Sequence, residues 1–441
     1  MIGNSLLTRF ILLFLFSSCL KSFAGYQGRF SSGSYLSKEK FKDSLSNDMA
    51  IFAHRFYFSS TNINNSDQSL IFDIRDKHDL FGKVAKERRN LNSKNSLQVK
   101  TLQYKFGENN KKYYFGIGRH VVKNTGGKII DGFEIKKKQS RRFDFSLFAG
   151  YNPQTYGESE LKWNSHKIVT GITSHWAPNK NTWGKNNFIT NALILEEIEN
   201  SSNRVYLQNS FLLNNQENSI FQGVSFLDLT PTLYIQNIWL SYLFFKSRFT
   251  RYSISITSVD QVLQTKQSDV FDNLDASRYS EITTKISSRI RASHNSLTTR
   301  FRYGKRQSDN KEKLEATSGI NIPSLILKSD LSNFKLGIRN NFDYKEALLS
   351  FSTIIPTNSF EFFLDQDIIV RRYKNSKIIT PIVSELGLTY MTSKSLFLTT
   401  SVQYAKDDKV NIFSLFFKLV YRFGNKATTP LRNGKVRKGR L

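Results

Sequence analysis

The chain has 441 residues and a formal net charge of +28, and its single cysteine excludes an internal disulfide and a site built from several thiolates. Proline is scarce, at 7 residues, whereas 37 Phe and 19 Tyr are abundant; this composition favours β-strands. The basic residues are dispersed between apolar ones rather than gathered in one patch, so no nucleic-acid partner is expected.

The N-terminus has the features of an export signal. Arg9 supplies a positive start, Phe10 to Leu20 is almost wholly apolar, and small residues precede a cleavage point after Ala24. Residues 1–24 are therefore predicted to be a cleaved signal peptide. Cys19 follows a stretch that resembles a bacterial lipobox, so lipidation of Cys19 is the alternative. Residues 25–48 are predicted to be a periplasmic extension or a first strand.

The rest of the chain predicts a membrane-spanning barrel. Its longest apolar run, Ile238 to Phe245, has eight residues, too few for a helical span. Apolar and polar residues alternate instead with period two, and closure into a barrel satisfies the backbone groups in lipid. We expect an all-β fold, a transmembrane antiparallel up-and-down β-barrel over residues 49–423, with about 18 strands and a range of about 16 to 22. The long polar stretches Asp76–Ser96 and Gln261–Ala276 are expected to be external loops, and Asn340–Lys345 a periplasmic turn.

Three short motifs follow each other in the first half of the chain: Gly116-Ile117-Gly118-Arg119, Ile130-Asp131-Gly132-Phe133 and Phe145 to Gly150. Together they resemble uncharacterised porin-like proteins of delta-proteobacterial lineages, over about 35 residues, a resemblance that supports a porin-like barrel. Between them, Gly126-Gly127-Lys128 lacks the full spacing of a phosphate-binding loop and is predicted to be a turn.

Two neighbouring segments predict the lining of the lumen. Ile282, Ile286 and Ile290 alternate with Lys285, Arg289 and Arg291, and the next segment repeats the pattern. If the polar parity faces inward, a positive lining that favours anions results. The alternative is that these side chains pair with carboxylates across the wall. The predicted basic lining consists of Lys285, Arg289, Arg291, Arg300, Arg302, Lys335 and Arg339.

The six histidines show no ligand spacing, and no metal or cofactor is expected. His294-Asn295-Ser296 partly resembles the His-x-Ser-Asn-Gly motif of outer-membrane lipid hydrolases, but Leu297-Thr298 follows where Asn-Gly is required. The triplet is also predicted to lie in a turn. No catalytic residue is assigned, and the protein is not expected to be an enzyme; lipid hydrolysis is the remote alternative.

The last segment resembles the closing strand of Gram-negative outer-membrane proteins, which ends on an aromatic residue after apolar residues at every second position. The matching positions are Leu415, Phe417, Leu419, Tyr421 and Phe423. The resemblance implies the barrel-assembly machinery as a partner. Residues 424–441 follow it, with six Lys and Arg and no acidic residue, and are predicted to be a disordered basic tail.

These patterns predict a porin-like channel of the outer membrane for small, preferentially anionic solutes. Its expected partners are outer-membrane lipid, the assembly machinery and those solutes, with a homo-oligomer possible in principle. A plugged barrel that displays loops or the basic tail to a partner is the alternative from another class. A secreted, soluble β-sandwich is a third interpretation, which the outward aromatic residues of the last segment disfavour.

Overall fold

A computed structural model describes residues 23–42, 46–63, 67–80, 95–107, 112–153, 167–178, 187–197, 203–215, 218–230, 233–259, 278–290, 294–307, 309–342, 344–373, 377–393, 395–408 and 410–424. Residues 1–22 and 425–441, which hold most of the predicted signal peptide and tail, lie outside the described residues.

The described residues form one antiparallel sheet. Its strands are β1 (Phe23–Phe41), β2 (Ser46–Ile63), β3 (Gln68–Asp79), β4 (Asn95–Phe106), β5 (Tyr113–Val121), β6 (Ile129–Lys138), β7 (Phe143–Tyr151), β8 (Ile168–Trp176), β9 (Phe188–Glu197), β10 (Asn203–Asn215), β11 (Ser219–Asp228), β12 (Tyr234–Phe245), β13 (Thr250–Val259), β14 (Tyr279–Arg289), β15 (Ser296–Arg306), β16 (Glu312–Pro323), β17 (Leu331–Asn340), β18 (Tyr344–Pro356), β19 (Phe360–Tyr373), β20 (Ile378–Ile379), β21 (Ile382–Met391), β22 (Leu396–Lys406) and β23 (Val410–Gly424).

The sheet closes on itself. Each strand pairs with its sequence neighbour, and β1 also pairs with β23, from Gln27 opposite Gly424 to Phe41 opposite Val410. The two-residue β20 extends the pairing of β19 and leads into β21, so the wall has 22 strands. Closure removes the open edges that an exposed sheet would present.

The 22 strands are at the upper bound of the expected range, and the sequence favoured a lower number, about 18. Part of the difference lies in residues 25–48, which contain β1 and the start of β2. Another part comes from segments such as β9, where Ala192, Leu193, Ile194 and Leu195 are all apolar and conceal the alternation.

The two ends of the barrel differ in their connections. β1 begins and β23 ends at the same end, which we call the termini end; the opposite end, the loop end, carries the long connections 80–94, 152–167 and 260–278. The prediction that Asn340–Lys345 lies opposite those loops is wrong, since the turn from β17 to β18 is also at the loop end. The physical reason is that each connection reverses the chain, so the number of strands, and not loop length, decides the side.

The turn from β16 to β17, at the termini end, is held together by one carboxylate. Asp330 is 2% exposed and accepts hydrogen bonds from the backbone N–H groups of Ile326 and Leu327 and from the hydroxyl of Ser332. Burial alone would raise the pKa of Asp330, but these hydrogen bonds lower it below its usual range. The turn is therefore ordered by a charged group.

No helix in the described part of the chain is long and apolar enough to cross a membrane.

Candidate functional site: the inner face of the barrel

The two faces of the wall differ in chemistry and in exposure. On one face of β14 to β17 most side chains are apolar and well exposed, such as Ile282 at 42% and Ile338 at 64%. The other face carries charged side chains, and Glu315 on it is only 1% exposed. Side chains diverge on a convex surface and crowd on a concave one, so the apolar face is the outer one and the polar face lines the interior.

The inner face of β15 to β19 carries a ladder of alternating charges. Arg302 lies directly opposite Glu315, which lies opposite Arg339. Arg339 in turn lies opposite Glu346, and Glu346 opposite Arg371. Opposite charges in directly opposed positions stabilise a sheet, so these five residues, the charge ladder, bind neighbouring strands to each other.

Glu315 is the centre of the charge ladder. Its carboxylate is 2.7 Å from Arg300 Nη2, 3.5 Å from Arg302 Nη1 and 3.3 Å from Arg339 Nε. Arg339 Nη1 is also 2.7 Å from Glu346. A carboxylate that is almost fully removed from water needs such partners, because an unpaired buried charge is strongly unfavourable.

A second carboxylate adjoins the ladder towards the loop end. Glu281 Oε1 is 2.9 Å from Arg302 Nε, and its Oε2 accepts a 2.5 Å hydrogen bond from the Tyr279 hydroxyl and lies 3.9 Å from Lys313 Nζ. Around the ladder six cations therefore face three carboxylates on this part of the inner face. The cations are Lys285, Arg300, Arg302, Lys313, Arg339 and Arg371, and the carboxylates are Glu281, Glu315 and Glu346.

The structure brings some of the predicted lining residues together and separates others. Arg302 and Arg339 belong to the ladder, and Arg300 contacts Glu315 from the next row, where Lys285 lies directly opposite it. Lys335 lies opposite Ser350, two rows from the ladder. Arg289 is at the termini end of β14, opposite Ser296, and Arg291 lies outside the described residues. Within the described part of the chain, no ion pair is recorded for Lys285, Lys335 or Arg289.

The lining predicted from the sequence omitted the three carboxylates Glu281, Glu315 and Glu346 and the two further cations Lys313 and Arg371. Each of these side chains lies on the inner face of its strand. The alternation with apolar neighbours such as Leu314 and Val370, which are exposed on the outer face, could have indicated this. What the sequence does not contain is the register that sets Glu315 between Arg302 and Arg339.

A second feature of the interior is the inner hairpin, which we define as the turn Val122–Lys128 with the adjoining ends of β5 and β6. Lys128 Nζ is 2.6 Å from Glu196 Oε1 on β9, and Asn152 Nδ2 donates to the same oxygen at 2.7 Å. Gly126 lies against the side chain of Gln208 on β10. Because Glu196 and Gln208 belong to the inner face, the turn crosses the inside of the wall.

Apolar packing holds the inner hairpin in this position. Val122 and Ile130, at its two ends, are at most 1% exposed and belong to a buried cluster on the inner face. The other members of the cluster are Phe148, Val169, Ala192, Ile194 and Tyr206, with Phe226 packed against them. Full burial of one aliphatic side chain contributes about 1.5–3 kcal/mol, so the turn is fixed to the wall.

The inner hairpin leaves the wall at a row of glycines. Gly118, Gly132 and Gly150 lie directly opposite one another on β5, β6 and β7. Gly118 has a φ of 110°, which side-chain-bearing residues rarely adopt, and a Cβ on Gly132 would lie 2.0 Å from the carbonyl oxygen of Ala149. These glycines permit the close backbone approach that the bend requires.

An ion pair closes the wall where the hairpin departs. β4 begins at Asn95, but it pairs with β5 only between Leu102 and Phe106. Arg119 forms a bidentate pair with Asp131 at 2.6 and 2.5 Å, and its Nη1 donates to the carbonyl oxygen of Val99 at 3.0 Å. The guanidinium thus supplies a hydrogen bond where the strand partner is missing.

The geometry offers no support for the hydrolase alternative. His294 lies in the turn before β15 with a φ of 56°, and the Ser296 hydroxyl accepts a hydrogen bond from Asn321 Nδ2 at 3.0 Å. Among the described residues, no group of three or more His, Cys, Asp or Glu is placed to hold a metal ion.

The predicted assembly residues lie on β23, the strand that pairs with both β22 and β1. Leu415, Phe417 and Tyr421 are 37–45% exposed on the outer face. The Phe423 ring covers Gly28 and lies 6.2 Å from the ring of Phe56.

No known protein family and no curated protein matches this chain. Among solved structures, the translocation pore of the P pilus usher PapC is similar with a TM-score of 0.50 and 7% identity, over 90% of this chain and 99% of that one. OpdO of Pseudomonas aeruginosa has a TM-score of 0.46 and 7% identity, over 92% and 99%. OccAB4 of Acinetobacter baumannii has a TM-score of 0.42 and 9% identity, over 91% and 99%. The chain shares the closed β-barrel fold of the PapC translocation pore.

Proposed function

We propose that the protein is an outer-membrane channel through which small solutes, preferentially anions, diffuse passively. The observation that carries the proposal is the region around the charge ladder on the inner face of β14 to β19, where six cations face three carboxylates. A lumen lined with excess positive charge attracts anions and repels cations. Lys285 and Lys335, with no ion pair recorded in the described part of the chain, contribute most directly to this field.

The size of the barrel supports an open passage. A ring of 22 strands, spaced about 4.8 Å apart and tilted about 40°, has a backbone radius of about 22 Å. Side chains that reach about 7 Å inward from each side would leave an opening of about 30 Å. The side chains of the wall therefore cannot close the lumen by themselves, and a plugged barrel needs segments that fold inward.

The inner hairpin narrows this opening from the side opposite the ladder. It crosses the wall over β7 to β10, and the ladder spans β15 to β19, so the centres of the two regions are about nine strands apart in the ring of 22. Both lie near the loop end, and solutes would pass between them. Glu361, Asp365, Asp367 and Glu385 make the termini end of β19 and β21 acidic, so we assign the anion preference to the loop-end passage.

The outer face of the barrel supports the proposed location and partners. A continuous belt of exposed apolar side chains on a closed barrel fits a bilayer, and β23 matches the strand that the assembly machinery reads in similar proteins. We therefore infer an outer-membrane location, export through the N-terminal signal and assembly by that machinery.

The test is the single-channel conductance of the refolded protein in a planar bilayer under a KCl gradient. We expect steady conductance steps and a reversal potential of the sign for anion preference. The double variant Lys285→Glu and Lys335→Glu should reduce or invert that potential while the protein stays folded. Correctly folded protein without conductance would refute the channel and favour the plugged barrel.

The matched control is the double variant Lys305→Glu and Lys406→Glu. Both lysines are exposed on the outer face near the loop end, on β15 and β22, so their reversal makes the same change in net charge without altering the lumen. An equal shift in the control would show that the overall charge, and not the lining, sets the selectivity.

A further inference from the structure

A shallow apolar groove lies on the outer face of β16 to β19, near the loop end. Its floor is formed by the two alanines in a row of four residues directly opposite one another, Ala316, Ile338, Ala347 and Val370. The two alanines lie beside larger side chains, of which Ile338 is 64% and Val370 46% exposed. The cavity has a volume of about 400 Å³, and Leu314, Asn340 and Lys345 also line it. Arg339 and Glu346, whose ion pair is on the inner face, border it as the neighbours of Ile338 and Ala347 in the wall.

Two cations lie at the loop-end margin of this groove. Lys345 lines the cavity, and Arg372 lies directly opposite it on β19, in the row that also contains Asn340. Like charges in directly opposed positions destabilise a sheet. Among the described residues, no ion pair is recorded for either side chain. An anion between them would remove the repulsion.

The surroundings identify the kind of anion. The groove is continuous with the apolar belt that faces the bilayer, and its open side is towards lipid. Cations at the boundary of such a belt lie at the level of lipid headgroups. A ligand that fits both the apolar groove and the two cations has an acyl chain that contacts the alanines and a negative headgroup that contacts Lys345 and Arg372.

We propose that this groove binds an anionic, phosphate-bearing lipid of the leaflet at the loop end. One acyl chain lies over Ala347, between the side chains of Ile338 and Val370, and the phosphate accepts hydrogen bonds from Lys345 Nζ and the Arg372 guanidinium. A guanidinium and an ammonium side by side present donors that match phosphate oxygens. The site is on the outside of the barrel and does not depend on passage through the lumen.

The experiment is native mass spectrometry of the full chain in detergent, titrated with dimyristoyl phosphatidic acid and, separately, with dimyristoyl phosphatidylcholine. We expect phosphatidic acid to bind at least tenfold more tightly. The double variant Lys345→Gln and Arg372→Gln should lose this preference. Ala347→Phe, which fills the groove and keeps both charges, should weaken phosphatidic acid binding by a similar factor.

The matched control is the double variant Lys305→Gln and Lys406→Gln. Both lysines are exposed near the loop end on the outer face, but Lys305 lies opposite Glu312 and Lys406 opposite Asn411. The control removes the same charge and should keep wild-type affinity. Heat-modifiable migration in electrophoresis establishes that each variant is folded.

Three outcomes would overturn the proposal. An equal loss of phosphatidic acid binding in the control double variant would show that the overall charge of the protein, and not this site, causes the preference. Equal binding of both lipids would remove the role of Lys345 and Arg372. Full displacement of phosphatidic acid by millimolar inorganic phosphate, with no effect of Ala347→Phe, would make this a headgroup site without a chain-binding groove.

Discussion

Replacement of Glu315 by glutamine is the substitution whose effect follows most directly from the charge ladder. Glutamine keeps the shape of the side chain and removes the charge that Arg300, Arg302 and Arg339 share. The three arginines would then retain only Glu281 and Glu346 as carboxylate partners. We expect Glu315→Gln to destabilise the barrel and, by adding one positive charge to the lining, to increase its anion preference.

The size of the effect follows from burial. Removal of one partner of a buried ion pair costs about 3–5 kcal/mol. Glu315 is 1% exposed, whereas its arginine partners are 26–34% exposed and partly solvated, which favours the lower part of that range. The free energy of unfolding should fall by about 3 kcal/mol, or about 100-fold in the equilibrium constant.

The assay is equilibrium unfolding in guanidinium chloride, in lipid vesicles, followed by tryptophan fluorescence. The control is Glu312→Gln, because Glu312 lies on the outer face and, among the described residues, its carboxylate accepts one hydrogen bond, from the Tyr303 hydroxyl at 2.9 Å. We expect the control to change stability by less than about 1 kcal/mol. If Glu315→Gln were as stable as the control, the ladder would not hold the strands together.

Three further perturbations have defined outcomes. Deletion of residues 123–127 from the inner hairpin should raise the single-channel conductance severalfold. Lys128→Met, which breaks the ion pair with Glu196, should add rapid current fluctuations. Unchanged recordings from both variants would show that the inner hairpin does not border the passage. Gly132→Val should prevent assembly of folded barrel in electrophoresis, because its Cβ would lie 2.0 Å from a backbone oxygen, whereas normal folding would show that the bend is absent. Asp330→Asn should lower the denaturant midpoint of unfolding near neutral pH. The pKa of Asp330 is lowered in the folded protein, so its contribution to stability is present above the unfolded pKa of about 4 and is lost as pH falls through the folded pKa. If the wild type stayed more stable than the variant in stronger acid, this explanation would be wrong.

The fold was predictable because alternation is a local property of the sequence. Ile282 and Ile286 against Lys285, or Leu415 and Phe417 against Ser414, specify two faces without knowledge of any partner strand. The number of strands was harder to predict, because inward-facing apolar residues such as Ile194 interrupt the alternation where the inner hairpin covers the wall. The side of each turn depends on that number and was mispredicted for Asn340–Lys345.

The candidate site was predictable only in part, because its geometry is a matter of register. Arg302 and Arg339 have the inward parity that the sequence indicated, but they are 37 positions apart and meet through Glu315 on the strand between them. In the sequence, the inner hairpin was indicated only by the predicted turn at Gly126-Gly127-Lys128 and by the glycines of the short motifs around Gly118 and Gly132. Its contact with Glu196 and Gln208, on strands far along the chain, follows from no local rule.

The central claim is that the polar face of the strands lines an open lumen while the apolar face contacts lipid. Two neighbouring positions on β14 test it, Lys285 on the polar face and Ile286, 42% exposed, on the apolar one. Each is replaced by cysteine in a Cys19→Ser background, and a membrane-impermeant anionic methanethiosulfonate is added during bilayer recording. We predict that Lys285→Cys reacts and that its current falls as negative charge enters the lumen, with no reaction at Ile286→Cys. Reaction at Ile286→Cys with protection of Lys285→Cys would contradict the assignment of the two faces.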